Sequence, residues 1–190
     1  MKRLSIFLVL VLSFVVVTSN AQSFQEQRDA KKKEKAEKRA VQQEEAKANN
    51  ARLLELVKTK KFVLEANTLY SKSGSSYQLN STTNFVGFDG ENSTIQLAFD
   101  GLIGWNGIGG VTLDGTISKM EVKENKKGLG FTINATVRQN VGGAVTMIFR
   151  VSSDGSARVD MNGSFGDRLS FQGYIVSLEN SRVYKGTSLF

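Results

Sequence analysis

Asp89, Asp100, Asp114 and Asp154 are the carboxylates that a glycosidase would pair, one as acid and one as base or nucleophile. Each is followed directly by glycine, and Asp-Gly is a tight-turn dipeptide in which the carboxylate bonds local backbone and glycine takes positive φ. All four are therefore expected to build turns. Histidine and cysteine are absent, which removes Ser-His-Asp and thiol nucleophiles, thiolate metal binding and most zinc sites together. No S-x-x-K sequence occurs, and Thr116 and Lys119 are expected on opposite faces of a strand, so serine-lysine chemistry lacks its pair. The chain is expected to be no enzyme, to bind no metal and to carry no cofactor.

The stretch from Gly101 to Gly110 is rich in glycine, but Thr112 stands where a dinucleotide fingerprint needs glycine and no helix follows. Its Leu102, Ile103, Trp105 and Ile108 are unusual for a surface connection. Irregular core packing is the first expectation, and a lid over a barrel mouth is the alternative.

These residues sit among elements whose period is two. Phe62, Leu64 and Ala66 alternate with Val63, Glu65 and Asn67, and Ile95, Leu97 and Phe99 repeat the pattern after a run opened by Phe85. Leu129 to Val137, Val145 to Val151, Ala157 to Met161, and Leu169 with Phe171 continue it. Turn signals separate the runs at Asp89-Gly90, Asp114-Gly115, Asn125 to Gly128, Asn140 to Gly143 and Ser153 to Gly155. Short connections make neighbours of consecutive strands. The fold class is therefore all-β, an antiparallel up-and-down barrel of about eight strands over residues 61–190, with a β-sandwich as the alternative. Arg138, Arg150, Arg158 and Asp160 share one face and the large apolar side chains the other, which suits a barrel with hydrocarbon inside.

Phe85, Phe99, Phe131, Phe149 and Phe171, with Met147 and Met161, form the expected inward set. Beneath the Trp105 stretch they would line a cavity for a small hydrophobic ligand. A dry, filled core is the competing expectation, because each such side chain contributes about 1.5–3 kcal/mol on burial and no disulfide assists.

Residues 22–60 read differently. From Gln25 to Lys61 there is no Gly or Pro, and strong helix formers dominate, with favourable Asp29-Lys33 and Glu34-Lys38 spacings. Only alanines and Val41 are apolar before Asn50, so this helix should be solvated until Leu53, Leu54, Leu56 and Val57 dock its last turns on the barrel. The Asn49-Asn50 pair reads as a kink or a fresh start. Residues 22–61 carry 12 Lys/Arg against 7 Asp/Glu, whereas residues 62–190 carry 11 of each. Lys31, Lys32, Lys33, Lys35, Lys38 and Arg39 would meet an anionic envelope surface if the segment is more than a spacer. The neutral barrel makes nucleic acid an unsuited partner.

Residues 1–21 complete the organisation. Met1-Lys2-Arg3 is a basic start, Ile6 to Val17 is apolar apart from Ser13, and Ser19-Asn20-Ala21 offers small residues for a peptidase. This is the pattern of a secretory signal peptide cut near Ala21, too short to span a bilayer comfortably, and it predicts a periplasmic or secreted mature chain without a membrane span.

Phe62-Val63-Leu64-Glu65-Ala66 after a charged helix, Gly110 to Gly115 followed by Ile117 and Val122, Gly130-Phe131-Thr132-Ile133, and Leu169 to Ile175 resemble the exported bacterial family of domain of unknown function 4251. The likeness spans roughly residues 50–178. It implies a lipocalin-like barrel behind a signal peptide and a charged segment, and it implies no activity and no functional residue. The absence of proline is one departure from the family's pattern.

Overall fold

Helix formers uninterrupted by Gly or Pro produce one continuous helix, α1 (Lys2–Lys58). The computed structural model describes residues 2–70, 74–98, 110–141, 143–163 and 168–188, and for residues 2–24 the backbone alone. No described helix is long and apolar enough to cross a membrane. The chain divides into two compact units, Met1–Glu45 and Ala46–Phe190.

In the first unit every side chain from Gln25 to Glu45 is exposed, as a helix without an apolar stripe must be. Glu34 and Lys38 pair at 2.6 Å, whereas Asp29 meets Lys32 at 3.6 Å rather than Lys33. Lys31, Lys32, Lys33, Lys35, Lys38 and Arg39 all lie on this exposed stretch.

In the second unit α1 runs through Asn49 and Asn50 without interruption, contrary to the kink expected there. The physical reason is that both side-chain amides are engaged elsewhere. Asn49 donates to the Ser153 carbonyl, and Asn50 donates to Glu124 Oε1 at 3.0 Å. Leu53 and Val57, one turn apart, are buried in the core that follows. The helix ends where Lys60 takes φ 54°, the left-handed C-terminal position usually held by glycine.

Among the described residues nine strands follow: β1 (Lys61–Tyr70), β2 (Ser76–Gln78), β3 (Phe85–Asp89), β4 (Asn92–Ala98), β5 (Gly110–Glu124), β6 (Gly130–Gln139), β7 (Ala144–Ser152), β8 (Ser156–Gly163) and β9 (Arg168–Ser177). Every pairing is antiparallel. Strands β3 to β9 run as consecutive neighbours, β1 joins β3, and β9 returns to β1 from Phe62↔Ser177 to Tyr70↔Ser170. The result is a closed eight-stranded barrel, in which each of the eight strands has a neighbour on both sides. The short β2 is an extra strand on the end of β1 that extends past β3.

Inside, Phe62, Leu64, Val86, Phe88, Ile95, Ile117, Phe131, Ile133, Phe149, Val159 and Phe171 make one core with Leu53 and Val57. The outer wall is polar, with Arg138, Arg150 and Arg158 exposed, the reverse of a barrel that faces lipid.

Two expectations about β5 are corrected. Asp114-Gly115 lies in mid-strand rather than in a turn, while Asp89-Gly90 and Asp154-Gly155 do form turns, with φ 62° and 87° at their glycines. Asp100 lies outside the described residues. Gly115 is needed for close approach instead: an added Cβ would meet the Arg138 carbonyl oxygen and would lie 2.8 Å from Val137 Cγ1. A register shift between Ile117 and Lys119 also brings Thr116 and Lys119 to one face, opposite Arg138 and Thr136, where strict alternation would separate them.

Candidate binding sites on the barrel

Of the expected inward set, Phe131, Met147, Phe149, Met161 and Phe171 converge in the barrel core. Alternation on β6 to β9 turns them to one face, and cross-strand register stacks Met147 on Met161 and Val159 on Phe171. Phe149 also closes an aromatic cluster with Phe62 and Phe88, with ring centroids 6.4 and 5.8 Å away, and Phe62 stacks on Phe88 at 4.7 Å. Phe99 and Trp105 lie outside the described residues.

Phe85 is a correction. It is buried, but on the outer wall with Val63 and Gly87, because Val86 and Phe88 take the inward parity of β3. What buries it is the chain after β9. A 3-10 turn at Leu178–Asn180 leads into an extended strap, residues 181–188, laid over the outer face of β1, β3, β4 and β5.

Polar anchors hold the strap. Glu65 Oε1 accepts from Ser181 Oγ at 2.9 Å and from the Arg182 amide at 3.0 Å. The Tyr184 amide donates to the Thr82 carbonyl at 2.7 Å. Gln96, fully buried, donates to the carbonyls of Tyr184 at 2.7 Å and Thr83 at 3.0 Å, and accepts from the Gly186 amide at 2.8 Å and Thr112 Oγ1 at 2.9 Å. Its side-chain amide thus reads strap backbone as a neighbouring strand would, with every donor and acceptor satisfied.

Asp114 Oδ2 accepts from Lys185 Nζ at 2.7 Å and Ser188 Oγ at 2.5 Å, and Oδ1 accepts from Thr94 Oγ1 at 2.6 Å. Burial raises its carboxyl, but these donors outweigh burial and hold it below the usual carboxylate value. Between strap and wall lies a groove of about 480 Å³, lined by Val63, Phe85, Gly87, Asp114 and Val183 among others. The apolar Val63 and Phe85, out of phase with the core, were the sequence signal for this cover.

A second outer feature lies on β7, β8 and β9. Arg150 and Arg158 are direct cross-strand partners, and Asp160 is buried beside them. Asp160 Oδ2 accepts from Arg150 Nη1 at 2.5 Å and lies 3.6 Å from Arg168 Nη2, while Oδ1 accepts from Ser170 Oγ. Burial raises the Asp160 carboxyl, and the Ser170 hydroxyl with the Arg150 and Arg168 guanidiniums brings it below its ordinary value. Arg158 stacks over the Tyr70 ring, 4.4 Å from its centroid.

Chemically, these sites offer carboxylates and cationic side chains fixed by hydrogen bonds on the outer wall. Asp154 is held low by the Ser156 hydroxyl and amide as a turn carboxylate, and Asp114 and Asp160 are both held ionised by their donors. Among the described residues no group of three His, Cys, Asp or Glu is placed to hold a metal ion.

No curated protein matches the chain. A crystal structure of a DUF4251 family protein from Bacteroides eggerthii DSM 20697 is similar, with a TM-score of 0.57 and 31% identity over 70% of this chain and 91% of that one. The family model described as domain of unknown function (DUF4251) matches residues 42–175, from the end of the exposed helix to the last inward residue of β9. Plugging turns and barrel together are thus the shared unit, and the chain belongs to the DUF4251 family.

Proposed function

We propose that the mature chain, cut after Ala21 and exported, is a non-catalytic interaction module of the cell envelope. In this reading the barrel is a scaffold, the outer wall recognises the partner, and the charged helix of residues 22–45 is a spacer. The observation that carries it is the packed interior. Phe62, Phe88, Phe131, Ile133, Met147, Phe149 and Val159 have no exposed surface, and Leu53 with Val57 seals the same core from one end. Filling of that kind supports a solid core, whose side chains stabilise the fold instead of surrounding a guest.

A small apolar ligand inside the barrel is the second reading, and one observation favours it. Ser93, Gly115 and Gln139 form one inward row across β4, β5 and β6, and Ser93 Oγ and Gln139 Nε2 are buried without a hydrogen-bond partner. Buried polar atoms of that kind require an explanation, and the head group of an amphiphile would supply one.

Native mass spectrometry of the protein purified from its own envelope fraction separates the two. The expected species is a chain beginning at Gln22 with no apolar adduct. A stoichiometric lipid adduct would install the second reading, and a chain retaining residues 1–21 in the cytoplasm would end the export proposal.

A further inference from the structure

Arg150 and Arg158 stand directly opposite each other on the outer wall, an arrangement that repels and that sheets avoid unless a counter-charge is supplied. Asp160 supplies one, but Arg168 draws on the same carboxylate, so three guanidiniums share a single negative charge. Their outer-wall row neighbours Thr132 and Gln172 are uncharged. The two paired guanidiniums are also held in place: Arg150 by Asp160, and Arg158 by the Tyr70 ring and by Ser170 Oγ at 3.4 Å. Arg150 and Arg158 together line a groove of about 280 Å³, whose other lining residues include Ser152, Ser156 and Gln172. Across from Ser156 on β9, Tyr174 is half exposed.

We infer that this groove binds a phosphorylated saccharide, the phosphate between the Arg150 and Arg158 forks and the sugar over Ser156, Gln172 and Tyr174. The assignment follows from charge and shape. A phosphate presents three terminal oxygens on a tetrahedral centre, enough to accept from both forks at once while its ester oxygen carries the sugar. Hydroxyls, an amide and an exposed aromatic ring suit a sugar's alternating polar edges and apolar face. The excess positive charge is complementary to the phosphate, and a bound anion relieves the repulsion between the paired arginines. The inference rests on the proposed role of the outer wall, and it names the class of molecule recognised there.

The test is calorimetric titration of the full mature chain with glucose 6-phosphate at low salt, with glucose and inorganic phosphate alongside. Glucose 6-phosphate is expected to bind more tightly than inorganic phosphate, and glucose to give no heat. Arg158→Gln and Tyr174→Ala should each weaken glucose 6-phosphate binding, the arginine change by about tenfold or more. Arg138→Gln, on the same wall but outside the groove, should leave it unchanged. Tyr174→Ala removes only an exposed ring, so it reports on binding even if Arg158→Gln perturbs the fold.

Absence of binding overturns the inference, as does affinity untouched by both Arg158→Gln and Tyr174→Ala. Equal affinity for inorganic phosphate overturns the saccharide assignment. A lipid adduct in the native mass spectrum would displace the solid-core reading while leaving this titration as it stands, so the two failures are told apart.

Discussion

In the middle of β5, Gly115 faces the β6 backbone so closely that an added Cβ would overlap the Arg138 carbonyl oxygen and lie 2.9 Å from Gln139 Cα. At Gly87 on β3 the nearest atoms to such a Cβ are at 3.6 Å or beyond, ordinary contact distances. Gly115→Ala is therefore expected to cost about 1–3 kcal/mol through forced displacement of paired strands, and Gly87→Ala less than about 0.5 kcal/mol. Urea unfolding of the two variants checks this, and equal stabilities would show that β5 and β6 part without strain. The same contrast explains a misreading of residue type. Asp-Gly looks the same in sequence whether glycine is there for a turn, as at Gly90, or for close approach, as at Gly115, because the cause lies in a strand more than twenty residues away.

At the scale of elements, the strap shows how local patterning conceals long-range cover. Val63 and Phe85 interrupt the alternation of β1 and β3, and continuous apolar runs signal strands buried on both faces, yet nothing local says which segment covers them. Asp114 joins strap to barrel, and its lowered carboxyl sets the sign of the pH effect. The stabilisation is complete above the unfolded value of 3.8 and is lost as pH falls below it through the lower folded-state value. Lys185 is half exposed, so solvent screening limits the contribution of the pair to about 1 kcal/mol. Asp114→Asn at neutral pH should accordingly lower the hydrogen-exchange protection factors of the Tyr184 and Gly186 amides by about fivefold, and the wild-type protection factors should fall to the variant's only in acid. Exchange unchanged by the substitution would assign the strap's attachment to Gln96 and Glu65 instead.

For the molecule as a whole, closure was readable because each strand repeats one rule, apolar at alternate positions, and hairpin connections leave consecutive strands no other neighbours. The plug was readable for a related reason: Leu53 and Val57 belong to the first apolar cluster after a long stretch whose only apolar residues are alanines and Val41. The binding features were less legible, since the Arg150-Arg158 pairing and the Gln96 clasp depend on register and on the path of the strap. Burial then predicts where stability resides. Residues 25–45 are exposed throughout, so a chain beginning at Ala46 should melt within about 2 °C of one beginning at Gln22. A chain beginning at Thr59 loses Leu53 and Val57 from the core, about 3 kcal/mol or more, and should melt about 10 °C lower. Circular dichroism melts of the three chains measure this directly. A large loss already at Ala46 would show that the charged helix stabilises the domain despite the exposure of its side chains, whereas an undiminished melt at Thr59 would show that the barrel core closes without its plug.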